Sequence, residues 1–167
     1  MIRPAVAADA ADIARVQRAA WMSAYSGFID PGRIAERSER QTEEAWAARL
    51  DSSRAVTWVA VAEGAVVGFG TAGFAEEPDL ADVRAANLLA LYVDPEHWSH
   101  GHGRALQGEA LAWMRSEGYS VAVLWVMAGN GRARAFYVKG GWTPEPATLL
   151  DDEHFWDAPT LRYRRDL

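Results

Sequence analysis

Apolar residues recur along this chain with two periods, and the change from one to the other lays out the elements. Ile2 to Ala5 reads as a short strand. Asp9 stands where an N-cap belongs, and Ile13, Val16, Gln17, Ala20, Trp21 and Ala24 follow at helical spacing. Ser26-Gly27 and Asp30-Pro31-Gly32 end that helix. A second helical region is predicted from about Arg33 to Leu50, with Thr42 as an internal cap. The valine-rich run from Arg54 to Ala62 and the run from Val66 to Phe74 flank the Glu63-Gly64 turn, which predicts a hairpin.

Ala75 to Ala86 forms an acidic loop. Asn87 to Asp94 contains the unbroken apolar stretch Leu88 to Val93, the pattern of a strand buried on both faces, and Pro95 ends it. A helix is predicted from Gly103 to Glu117, with Leu106, Ala110, Trp113 and Met114 on one face and Gly118 as its stop. Ser120 to Met127 is a further buried strand, Gly129-Asn130-Gly131 a turn, and Arg132 to Lys139 a short helix ended by Gly140-Gly141. Trp142 opens a strand, and Pro159 to Arg165 is the last. Neither a repeat nor a linker interrupts the order, which predicts one α/β domain over residues 1–167.

Composition narrows the function. The 167 residues suit one domain, and 50% hydrophobic with 24% charged residues is ordinary for a globular protein. Eight tryptophans point to a core rich in aromatic rings. A net charge of −6 argues against a nucleic-acid partner and suits a small cationic substrate. The absence of cysteine removes disulfides, thiolate metal ligands and a cysteine nucleophile. No signal-like apolar region follows Met1, and no apolar run approaches the ~20 residues that cross a bilayer. A cytoplasmic protein without a membrane partner is expected.

The segment from Glu96 to Leu106 concentrates the candidate chemistry, with three of the four histidines, a Gly-x-Gly and Arg104. His97, His100 and His102 lack further ligands at typical spacing, so no metal is expected. A dinucleotide fingerprint fails because Leu106 stands where its third glycine belongs. A Walker loop fails because Glu109-Ala110 follow Gly103 and Gly108 in place of Lys-Ser/Thr. What remains is a strand, a glycine turn and a helix start, whose unpaired N–H groups and dipole can hold an anion. This is either a pyrophosphate cradle or a plain strand-to-helix turn.

A second segment bears on that choice. Asn130, Ala133, Phe136, Tyr137 and Gly141 form an Asn-x-x-Ala-x-x-Phe-Tyr-x-x-x-Gly pattern, with Trp142 after it. Together with Leu91-Tyr92-Val93-Asp94-Pro95 and the glycine turn, it resembles the GNAT superfamily of acetyl-CoA-dependent N-acetyltransferases. That family carries Phe at the Trp142 position, and its turn reads Arg/Gln-x-x-Gly-x-Gly/Ala. This chain departs from it with Trp98 at the Arg/Gln position and Ser99 where a glycine is usual.

The resemblance implies a single-domain GNAT-like α/β fold, a central mixed but mostly antiparallel sheet flanked by helices. It implies acetyl-CoA as cosubstrate, without a metal. The backbone of Leu91, Tyr92 and Val93 would pair with the pantetheine arm like an added strand. Ser99, His100, Gly101, His102, Gly103 and Arg104 would bind the pyrophosphate. Asn130 would contact the cofactor near its reactive end, and Tyr137 would protonate the departing thiolate. Tyr25 and Phe28 would line the acceptor site, while Trp21 falls on the apolar helix face and is expected in the core. Glu76 is placed at the acceptor entrance, and Glu77, Asp79, Asp82 and His154 are further candidates for the base. These acids and Asp151-Asp152-Glu153 would form a negative rim that favours a cationic amine.

Trp125 stands five residues before Asn130, where ribosomal-protein N-terminal acetyltransferases carry a glutamate, so their substrate is not predicted. Lack of cysteine favours direct attack in a ternary complex over an acetyl-cysteine intermediate. The expected activity is acetyl transfer to a primary amine of a small molecule or peptide. Dimers are frequent in such families, so a homodimer is a further expectation. The competing readings are a GNAT-like module that holds acyl-CoA without turnover, as a sensor, and a nucleotide-binding enzyme of another fold.

Overall fold

The computed structural model describes residues 1–149 and 152–167. Among these, seven strands make one sheet: β1 (Ile2–Pro4), β2 (Ala55–Ala62), β3 (Ala65–Phe74), β4 (Ala85–Val93), β5 (Val121–Met127), β6 (Thr143–Leu149) and β7 (Thr160–Asp166). Their order across the sheet is β1-β2-β3-β4-β5-β7-β6. Every neighbouring pair is antiparallel except β4–β5. A parallel pair needs a crossover, and α4 (His102–Ser116) supplies it.

The other helices are α1 (Ala10–Tyr25), α2 (Pro31–Ser38), α3 (Glu43–Asp51), α5 (Gly131–Lys139) and α6 (Asp152–Phe155). The helical region predicted over 33–50 is therefore two helices. Asp30 caps α2, its Oδ1 accepting from Arg33 N–H at 3.1 Å, with Pro31 in the first turn. The chain leaves the helix near Arg40, and Thr42 Oγ1 accepts from Ala45 N–H at 3.2 Å to start α3. Thr42 is thus the N-cap of a new helix, not an ornament inside an old one. β4 begins at Ala85, two residues before the predicted start, and the four-residue α6 has no counterpart in the predicted elements.

Helices cover both faces of the sheet. Leu106, Ala110 and Met114 of α4 are fully buried against Trp58, Leu124 and Tyr163. On the opposite face Ile13 and Val16 of α1 and Trp46 of α3 enclose Phe69. The Trp46 indole N–H donates to buried Gln17 Oε1 at 2.8 Å, so neither polar group is stranded. α4 lies close to β3 because that strand carries Gly68 and Gly70 at the contact. A Cβ on Gly68 would stand 3.3 Å from Leu106 Cδ1, and one on Gly70 would stand 3.6 Å from Leu106 Cβ. This close approach fixes where α4 begins, and the cavity depends on that point.

One ion pair anchors the N-terminus. Asp9 accepts from Arg3 at 2.7 and 2.8 Å and from Val6 N–H at 2.8 Å. Hydrogen bonding from Arg3 holds the Asp9 carboxyl below its ordinary value, against the opposing effect of burial. A carboxylate with a lowered folded-state pKa adds stability above its unfolded value of ~3.9, and loses it as pH falls through the folded value. Arg3 is partly solvated, so the pair contributes modestly. Asp9→Asn is expected to cost about 1 kcal/mol at neutral pH, roughly 2–4 °C in Tm. In a Tm-versus-pH series the gap between the two proteins should close as pH drops below the Asp9 pKa. A gap that persists there would assign the effect to something other than the carboxylate charge.

Candidate active site

The site follows from how β4 and β5 part. They pair only at Ala85, Ala86 and Asn87 with Val121, Ala122 and Val123. Beyond Asn87, β4 stays paired with β3 as far as Val93, and β5 stays paired with β7 as far as Met127. The two strands splay, and a cavity of about 650 Å³ fills the gap. Its walls are Leu88 to Val93 of β4 and Trp125 to Met127 of β5. Opposite Thr71 and Ala72 the register slips by one, so Leu89 bulges out of the ladder and is 54% exposed.

The glycine turn closes one end. Ser99 and Gly101 hold φ of 67° and 86°, so the chain is left-handed at both. That geometry is free for glycine and strained for Ser99, which is why glycine suits the position. Ala105 N–H makes a helical bond to Gly101 O at 3.0 Å, leaving the N–H groups of His102, Gly103 and Arg104 ahead of the ladder. Ser99, Gly101, His102, Gly103 and Arg104 all line the cavity, whereas His100 is exposed and lies off the lining.

The His102 ring lies 6.3 Å from that of His97 and 6.4 Å from that of His100. Burial, then the neighbouring His97 and His100, push the His102 pKa down and favour its neutral form. Among the described residues no group of three or more His, Cys, Asp or Glu is arranged to hold a metal ion.

Trp98 is fixed in place by its edge. Its indole N–H donates to Val93 O at 2.8 Å and ties the turn to the end of β4. The guanidinium of Arg132 lies 3.8 Å from the ring centroid. Both residues line the cavity, and neither was among the expected site residues. The one sequence signal is a tryptophan at the turn position where the family has Arg or Gln, with an arginine just after Asn130.

Asn130 caps α5, its Oδ1 accepting from Ala133 N–H at 3.1 Å, and this brings Ala133, Phe136 and Tyr137 to the cavity. Tyr25 and Tyr92 meet Tyr137 there, with 3.1 Å between the Tyr25 and Tyr92 hydroxyls. Burial raises all three phenols. For Tyr137 the neighbouring Tyr92 adds to the effect, so its hydroxyl keeps its proton well past neutral pH.

Trp21 is buried edge-on against Tyr92 and Trp156, in the core as expected. Phe28 lies outside the cavity, over Gly129, where a Cβ would come within 2.8 Å of its ring. Glu76 is exposed and also off the lining.

The remaining acids are largely engaged. Glu77 Oε1 accepts from Trp125 Nε1 at 2.8 Å and from Asn87 Nδ2 at 3.3 Å, bridging β4 and β5 where they diverge. Glu77 Oε2 is buried and has no hydrogen-bond partner. Asp79 and Glu145 both accept from Arg162, whose side chain is 7% exposed. His154 is exposed. Asp151 and the side chains of Asp152 and Glu153, placed by sequence at the acceptor rim, lie outside the described residues.

The fold has counterparts among known proteins. A PaiA N-acetyltransferase from Thermoplasma acidophilum, solved in complex with coenzyme A, matches with a TM-score of 0.82 at 23% identity, covering 100% of this chain and 98% of that one. A GCN5-related N-acetyltransferase from Rhodopseudomonas palustris matches with a TM-score of 0.77 at 20% identity, covering 100% and 95%. Mycothiol acetyltransferase from Beutenbergia cavernae is 40% identical over 63 residues, which is 38% of this chain and 21% of that protein. The family model "Acetyltransferase (GNAT) family" matches residues 18–142, a span that holds the splayed strands, the glycine turn and α5. The chain belongs to the GNAT family of acetyltransferases.

Proposed function

We propose that this protein moves an acetyl group from acetyl-CoA to a primary amine of a small molecule or peptide, by direct attack in a ternary complex. The observation that carries this reading is the meeting of three features in one cavity. These are the open edge of β4, the N–H groups of the glycine turn, and the buried, protonated phenol of Tyr137. Beyond Asn87 the β5-facing edge of β4 offers main-chain groups to the amides of a pantetheine arm. The turn offers N–H groups to the pyrophosphate.

The reaction forms an N–C bond and breaks a C–S bond. The attacking amine must be neutral, although a lysine-like amine has a pKa of ~10.4. The described lining holds no carboxylate, and the ammonium proton is lost to solvent before the attack. A strand N–H stabilises the oxyanion. The sulfur departs as a thiolate and the Tyr137 hydroxyl donates its proton to it, while the proton shed by the nitrogen as the amide forms returns through water to the phenolate. Burial raises the phenol, so the hydroxyl is protonated and available as a donor at neutral pH.

Thermal unfolding with acetyl-CoA, CoA, ATP and NAD in parallel tests the cosubstrate. A ligand at a hundredfold its Kd adds about 2.7 kcal/mol, several degrees for a protein of this size. Only the CoA species should shift the transition, and an amine panel followed by thiol release should then identify the acceptor class. No shift at millimolar CoA would sink the proposal. A CoA shift without thiol release from any amine would replace it with the non-catalytic sensor.

A further inference from the structure

We propose that Arg132, laid on the face of Trp98, is the fixed cation that grips the phosphates of the cosubstrate. The proposal rests on the reading of CoA as that cosubstrate and names a binding group for it outside the glycine turn.

Four observations lead there. The first is position: Arg132 and Trp98 line the same cavity as His102, Gly103 and Arg104, whose N–H groups stand ahead of the helical ladder. The second is preorganisation. Trp98 is held at its edge by the 2.8 Å bond to Val93 O, so its face is a rigid platform, and the guanidinium sits 3.8 Å above it. Stacking engages the guanidinium face and leaves its in-plane N–H donors free for an oxyanion.

The third is charge. Among the described residues no carboxylate forms an ion pair with Arg132. It stands in the first turn of α5, which holds no acid, and there a positive charge opposes the helix dipole. Nearby Arg134 has structural partners in Ala128 O and the Tyr163 hydroxyl, while the contact found for Arg132 is Trp98. The fourth is the turn itself. Trp98 occupies the position where the family carries Arg or Gln, so the turn lacks that polar side chain. α5 brings an arginine to the same place across the fold.

The shared chemistry is a phosphate oxyanion, from either the pyrophosphate or the 3′-phosphate. The test measures Kd for CoA and dephospho-CoA by calorimetry over a range of salt, for the wild type, Arg132→Met and Trp98→Phe. Arg132→Met is expected to weaken CoA about tenfold or more, flatten the dependence of log Kd on log salt, and leave Tm unchanged. An equal loss for dephospho-CoA would assign Arg132 to the pyrophosphate, and a loss confined to CoA would assign it to the 3′-phosphate. Trp98→Phe keeps an aromatic face but removes the bond to Val93 O that holds it, so it should weaken CoA by less than Arg132→Met does.

An unchanged CoA affinity in Arg132→Met would overturn the proposal. So would a weakened affinity with an unaltered salt dependence, since a structural role gives that result. Failure of the wild type itself to bind CoA would strike the cosubstrate reading and this proposal together, a result distinct from any difference among variants.

Discussion

Tyr137→Phe is expected to lower kcat by about 10²–10⁴-fold while leaving the Kd for CoA within about twofold. The substitution removes one hydroxyl and keeps the ring in its edge-on contacts with Phe136 and Trp142, so the cavity retains its shape. What disappears is the donor beside the departing sulfur. The wild-type pH profile offers a second check. Burial holds the phenol above its ordinary value, so the alkaline limb should show no loss from its ionisation below about pH 10. Steady-state rates across pH, with calorimetric CoA binding, measure both. Unchanged turnover would remove Tyr137 from the mechanism, and a parallel loss of CoA affinity would make its role one of packing.

Leu106→Ala should produce the largest loss of stability. Leu106 is fully buried where α4 crosses β3, against the space left by Gly68 and Gly70. Those glycines have no side chains to move into a void, so the cavity cannot collapse from that side. Truncation of a buried leucine costs about 3–5 kcal/mol in such sites. For a protein of this length that is roughly 6–20 °C in Tm. Leu106 also lies one turn beyond His102, so CoA binding should weaken as the helix start loosens. Thermal melts with and without CoA separate the two effects. A Tm change below about 2 °C would mean that the strand–helix contact contributes little.

The elements were legible because each carries a local signal. Thr42 was recognisable as a cap from its own neighbourhood, but its role as a boundary needed the chain to be seen leaving the helix at Arg40. The strand order was not legible from periodicity, since Leu88 to Val93 reads the same beside any neighbour. The mixed, mostly antiparallel sheet came from family resemblance and stands in the structure with one parallel seam.

Within the site, Gly101 and Gly103, and Asn130 and Tyr137, sit in short motifs whose spacing is itself informative. The Arg132–Trp98 stack and the Glu77 bridge to Trp125 join residues far apart in the chain, and no local pattern marks their contact. Phe28 shows the converse: it neighbours a breaker that suggests a pocket wall, yet it packs over Gly129 and off the cavity lining.

The three residue pairs that join β4 to β5 make the sheet mechanically uneven. In one half β2, β3 and β4, and in the other β5 and β7, are joined by antiparallel ladders of seven or eight pairs, with β1 and β6 added at the outer edges. Between them is a short stitch at one end, braced by Glu77. Without ligand, the β5-facing amides from Leu88 to Val93 lack a cross-strand carbonyl and should exchange with deuterium faster than those turned toward β3. A bound pantetheine arm would slow that subset alone and stiffen the two halves into a continuous plate. Occupancy would then be readable as an alternating protection pattern along a single strand.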